Sequence, residues 1–237
     1  MNWTFIRPVA AVAFASVAGC VLLVLRFLWL GHARNSYLVW NLFLAWLPLW
    51  FALGTAIALR WKESTKAKWS AGGFALGWLL FFPNAPYILT DVVHVTSRAQ
   101  RHFWPDLVLI LLFALAGLIL GFLSLFVMQR LVVRRFGWVA GWGFVAAAAT
   151  LNGFGVYAGR FLRWNSWDVV VAPWNIAREG TRWVLSMPHT PRAFLLPMLF
   201  AALMFIAYVM LYGLTHLGHW PAQPTASGSP PHRGSQE

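Results

Sequence analysis

Charge is what this chain has least of. Only 10% of its 237 residues are Asp, Glu, Lys or Arg, where a soluble domain carries about a quarter. That shortage, with 60% hydrophobic residues, excludes an ordinary water-soluble globule. Carboxylates are scarcer still: six, against 18 Lys and Arg, for a formal charge of +12. Cysteine is nearly absent. Cys20 stands alone, so no internal disulfide can form. Its neighbours Val17, Ala18 and Gly19 resemble a lipoprotein cleavage box, but the apolar run continues to Leu25, as a spanning helix would. Clustered metal ligands are missing too. His94 and His102 are eight apart, with Asp91 and Asp106 near them, whereas zinc needs three or four convergent ligands. No metal and no other cofactor is expected.

What is present is apolar length. Spans are expected at about Pro8–Leu30, Tyr37–Leu59, Trp69 onward, Pro105–Gln129, Gly137–Tyr157 and Ala193–Leu217. The fold class is therefore all-α, a polytopic transmembrane helix bundle of about six spans. Residues 1–219 make one domain, and the Pro-, Ser- and Gly-rich stretch 220–237 reads as a disordered tail. The basic residues lie between apolar runs. Their partner is expected to be membrane lipid with anionic headgroups, not nucleic acid. Arg26, near the end of span one, is placed to snorkel.

The third span carries its own anomaly. From Trp69 to Phe82 there are fourteen residues, about 21 Å of helix, against a hydrocarbon core of about 30 Å. Pro83, Asn84, Ala85 and Pro86 follow, so the span is expected to break there and to finish with Tyr87–Val95. Asn84 is expected to cap the outer half. Asp91 and His94 then join a polar stripe that continues through Arg98. In span four, Asp106 reads as an ordinary first-turn carboxylate, and Ala114, Gly117, Gly121 and Ser124 form a small-residue face. In span five, Ala148, Asn152, Gly155 and Gly159 share a face, which directs Asn152 at a neighbour. Such faces also suit homo-oligomers.

A second polar stretch, Gly159–Asn175, holds Arg160, Arg163, Asn165, Ser166 and Asp168. After it, Asn175, Arg178, Glu179, Arg182 and Ser186 make one stripe, the pattern of a helix lying in the interface. With six spans, both motifs fall on the face opposite the termini. Arg7, the Arg60–Lys68 loop, Arg130–Arg135 and Arg233 lie on the terminal face, and a nearly equal number of arginines lies opposite. Discounting the five between spans five and six, which Asp168 and Glu179 can partner, points to termini inside. Asp91 is seven residues beyond Asn84, and Arg160 eight beyond Asn152. Parallel spans three and five would bring these charges to one height, and Asp91 is expected to pair with Arg160 or Arg163.

The pair PNAPYILTDVVH and RFLRWNSWDVV resembles an uncharacterised bacterial membrane family known as domain of unknown function 1361. The likeness covers most of the chain and implies a multi-pass protein of the bacterial cytoplasmic membrane, without an established activity. Three readings stay open. In an enzyme acting on a lipid-linked or anionic substrate, Asp91 or Asp168 is the base and His94 its partner. Arg160 and Arg163 then clamp a phosphate, with Asn84, Tyr87, Thr90 and Asn165 lining the site. A small transporter would use the broken helix. An assembly protein would use the small faces.

Overall fold

The computed structural model describes residues 3–31, 35–60, 64–93, 103–164, 168–186 and 192–216. The proposed tail lies outside them. Among the described residues every regular element is helical: α1 (Trp3–Leu30), α2 (Tyr37–Ala58), α3 (Thr65–Phe81), α4 (Asn84–Tyr87), α5 (Phe103–Phe136), α6 (Trp138–Tyr157), α7 (Asp168–Val171), α8 (Pro173–Ser186) and α9 (Arg192–His216). A 3₁₀ turn, Ile88–Val92, continues α4, and a π-helical turn, Ala158–Leu162, continues α6. Six helices are long and apolar enough to cross a membrane, with Thr65–Val92 and Trp138–Leu162 each taken as one span.

Two boundaries moved for physical reasons. Span three begins at Thr65 because Ser64 caps it: its side chain accepts from the Ala67 amide at 3.2 Å. Even so, α3 has 17 residues, about 25 Å of rise, and still needs the part beyond Pro83 to cross. Span four runs on past Gln129 to Phe136, so Arg130, Arg134 and Arg135 lie within its end.

Helix α5 is the most buried span and α1 the least. One core cluster joins α1, α2 and the 3₁₀ turn to α5 through Leu42, Leu49, Ile88, Ile110 and Phe113. The second joins α3, α6 and α9 to it through Trp78, Phe82, Val145 and Met204. Polar links stitch the same helices. Trp78 Nε1 donates to Ser124 Oγ at 3.2 Å, and the Tyr208 hydroxyl donates to Gln129.

The segment after Phe81 enters the bundle closely. A Cβ added to Gly117 would meet the Ala85 carbonyl at 2.5 Å, and one on Gly155 would meet Pro83 Cγ at 2.4 Å. No other residue leaves room at these two points. The small faces of α5 and α6 thus receive Pro83–Ala85 of the same chain. Gly77 of α3 makes a different close approach, packing against Phe51 of α2.

The interruption at Pro83-Asn84 is one of hydrogen bonding, not of direction. Phe82 and Pro83 keep right-handed helical angles, φ −55 ψ −39 and φ −63 ψ −21. Pro83 and Pro86 have no N–H to give to the turn before them. The chain tightens in response: the Ala85 amide bonds Phe82 at 3.2 Å, three residues back. Asn84 does not cap the outer half. Its side-chain amide donates backward to the Phe81 carbonyl at 3.1 Å, which the tightened turn has left open. Asn152 Nδ2 reaches the Phe82 carbonyl from α6 at 3.5 Å.

A donor and a cap tolerate different replacements. An N-cap accepts Asp as readily as Asn, but a carboxylate cannot donate to Phe81. Asn84→Asp should therefore destabilise the detergent-solubilised protein by at least the ~1 kcal/mol expected for Asn84→Ala. Thermal unfolding of the two variants measures this, and an aspartate as stable as wild type would restore the capping role.

Candidate functional site at the membrane face opposite the termini

Spans three and five run in the same direction. Both reach the face where α1 ends and α2, α5 and α9 begin. Asp91, in the 3₁₀ turn, is 2% exposed. A carboxylate at that burial requires partners, and two are seen among the described residues. Arg160 Nη1 donates to Asp91 Oδ1 at 3.4 Å, and Asn41 Nδ2 donates to Oδ2 at 3.0 Å. The expected pairing across the two motifs is thus present, with Arg160 as partner. Arg160 itself is 20% exposed at its side chain, so the pair reaches from the bundle interior toward the surface.

The π-helical turn positions Arg160. It widens the last turn of span five, and Arg163 closes it with φ 57 and ψ 33, the left-handed region. The backbone amides of Arg163 and Trp164 both bond the Ala158 carbonyl, the second at 3.2 Å. That conformation disfavours any side chain with a Cβ by about 1–2 kcal/mol. Here it turns an exposed arginine outward from the same corner that holds Arg160. Trp164 Nε1 then donates to Glu179 Oε2 at 2.7 Å, which fastens the corner to α8. Helix α8 is amphipathic as expected, with Asn175, Arg178, Glu179 and Arg182 exposed.

The remaining expected site residues separate. Thr90 is buried, and its hydroxyl donates to the Tyr87 carbonyl at 2.7 Å, so it stabilises the turn. Tyr87 is half-buried and packs beside Gly159. Asn84 is committed to Phe81, one level further in. Asp168 opens α7, half-buried. His94 and Asn165 lie outside the described residues. Among the described residues no three metal-binding side chains converge.

A second buried network was missed. Arg26 does not snorkel: it is 7% exposed, and its Nε donates to Asp106, which also accepts from Asn35 Nδ2 at 3.3 Å. Asp106 keeps its place in the first turn of α5, but it serves a cation on another helix as well. Asn41 was missed too. The signal was available, since Asn41 is the one amide side chain in the apolar run of α2. The argument that turned Asn152 inward applied equally to it.

Six apolar helices, an intramembrane ion pair and an amphipathic connector define a multi-pass helical membrane protein. The family follows from a match over residues 40–210: this chain belongs to the family described as protein of unknown function (DUF1361). The matched stretch includes Asn41, both proline-flanked positions and the whole arginine corner. No curated protein matches the chain, and neither does any solved structure.

A double-mutant cycle tests the pair. Arg160→Gln leaves a buried charge behind and should cost about 3 kcal/mol, the lower end for breaking a buried pair. Asp91→Asn should cost less, and the double variant should fall short of the sum by at least 1 kcal/mol. Combining Asp91→Asn with Arg26→Gln should instead be additive, because the two networks share no residue. Additive losses within the Asp91–Arg160 cycle would mean that the contact carries no energy.

Proposed function

We propose that this protein binds an anionic, lipid-linked substrate at the membrane face opposite its termini, with Arg160 and Arg163 as the anion-recognising residues. The observation that carries this reading is Arg163: an exposed arginine held in left-handed backbone at the end of a π-helical turn. Strained backbone of this kind persists where a site requires it, and π-turns concentrate at functional sites. Guanidinium groups suit phosphate through their paired donors.

In this reading Asp91 is a positioning residue. At 2% exposure it is too enclosed to take a proton from a substrate, but it holds Arg160 from behind. If chemistry follows binding, Asp168 is the better placed base, because it is half-buried at the start of a short helix. The burial of Asp91 also favours a second reading, in which the network only locks helix ends together in an assembly protein. Arginine and lysine are level on the two faces, but on the opposite face Arg26 and Arg160 pair with carboxylates. Discounting such paired cations favours a bacterial cytoplasmic membrane protein with its termini inside.

Retention of a polyprenyl phosphate, compared with the uncharged polyprenol of equal length, tests the substrate class in nanodiscs. The wild type should hold the phosphate more tightly, and Arg163→Gln should remove most of the difference without lowering thermal stability. Equal retention of both lipids would exclude the anion site. If Arg163→Gln changes nothing while Asp91→Asn unfolds the protein, the locking reading stands alone. Orientation is checked separately, with single-cysteine variants in a Cys20→Ser background. An impermeant reagent on intact cells should label position 178 and spare position 68. The reverse pattern would invert the topology.

A further inference from the structure

At the opposite end of the bundle the charge distribution is one-sided. Among the described residues, Arg7, Arg60, Lys66, Lys68, Arg130, Arg134 and Arg135 lie on the terminal face, and no carboxylate does. All four described carboxylates, Asp91, Asp106, Asp168 and Glu179, belong to the other end. Even with Glu63 and Glu237, which lie outside the described residues, cations on this face outnumber carboxylates.

A cavity of about 610 Å³ opens on that same face, between the start of α1 and the ends of α5 and α9. Its walls are apolar, with Phe5 and Pro8 from α1, Phe126 from α5 and Leu211 from α9. Its size is that of a small-molecule or cofactor site. One cation lines it. The Arg130 guanidinium lies over the Phe126 ring at 5.1 Å, which pins it to the cavity wall. Arg130 is 27 residues after Phe103 along α5, about 40 Å, against a hydrocarbon core of about 30 Å. The cavity floor therefore sits at acyl-chain depth, and the guanidinium sits among the headgroups.

We infer that this cavity is a binding site for an anionic phospholipid, with an acyl chain between α1 and α9 and the phosphate at Arg130. The occupant is fixed by two features together. An open apolar groove within a bilayer selects a lipid chain, and an arginine at its rim, the one charged residue lining it, selects a negative headgroup. The peripheral position of α1 fits this arrangement, because lipid between α1 and α9 takes the place of protein packing. The site shares no residue with the Asp91–Arg160 corner, so either can exist without the other.

Native mass spectrometry of the full-length protein, titrated with phosphatidylglycerol and phosphatidylcholine of matched chains, reads the site. Wild type should bind phosphatidylglycerol about fivefold more tightly, the discrimination expected from one cation near an anionic headgroup. Arg130→Gln should abolish that preference, and Arg130→Lys should keep it. Arg135→Gln, on the same face but outside the cavity, should leave it in place. Thr215→Trp, an exposed rim residue, should lower retention of both lipids by filling the groove. Equal affinity of wild type for the two lipids would overturn the inference. Equal losses in Arg130→Gln and Arg135→Gln would also overturn it, since they would show diffuse charge attraction without a site.

Discussion

A carboxylate inside an apolar bundle is the constraint from which most of this architecture follows. Asp91 cannot remain charged there without donors, and among the described residues two other helices supply them: Arg160 on span five and Asn41 on α2. That requirement sets which spans must be neighbours at this face, and at what height. The Arg26–Asn35–Asp106 group repeats the same solution between α1, the start of α2 and α5. Both networks lie at one end of the bundle. Hydrophobic matching in a membrane gives little orientation, because lipid is as apolar as leucine. The buried polar contacts supply it.

The second constraint is the pair of prolines. A helix that loses two amide donors within four residues leaves carbonyls that lipid cannot satisfy. The chain resolves this with a tightened turn, a backward donation from Asn84 and an incoming amide from Asn152. Those bonds require the segment to be surrounded by protein. Gly117 and Gly155 make that possible by admitting Ala85 and Pro83 at backbone contact distance. The small residues, the asparagines and the prolines form one device, which leaves the following 3₁₀ turn placed to deliver Asp91.

The two faces of the bundle differ in chemistry. The face opposite the termini holds two buried ion pairs, Arg26–Asp106 and Arg160–Asp91, beside a strained, exposed arginine. The terminal face has, among the described residues, cations without carboxylates, and an apolar groove beneath one of them. The first arrangement suits recognition of a particular anion, the second attachment to an anionic leaflet.

Much of this was determined by the sequence alone. Span number follows from apolar length, the interruption from Pro83 and Pro86, the inward face of Asn152 from its small neighbours, and the need of Asp91 for an arginine from the cost of a buried charge. Near-equal spacing, seven residues from Asn84 to Asp91 and eight from Asn152 to Arg160, even pointed to the right partner. Tertiary structure decided the rest. A side-chain amide can donate or accept, and only the position of the open Phe81 carbonyl made Asn84 a donor. Arg26 could have reached the interface, had Asp106 not been closer. Asn41 became a ligand of Asp91 only because α2 lies beside the 3₁₀ turn. Spacing along a chain orders residues within one helix, but which helices touch is settled by packing between segments far apart in sequence.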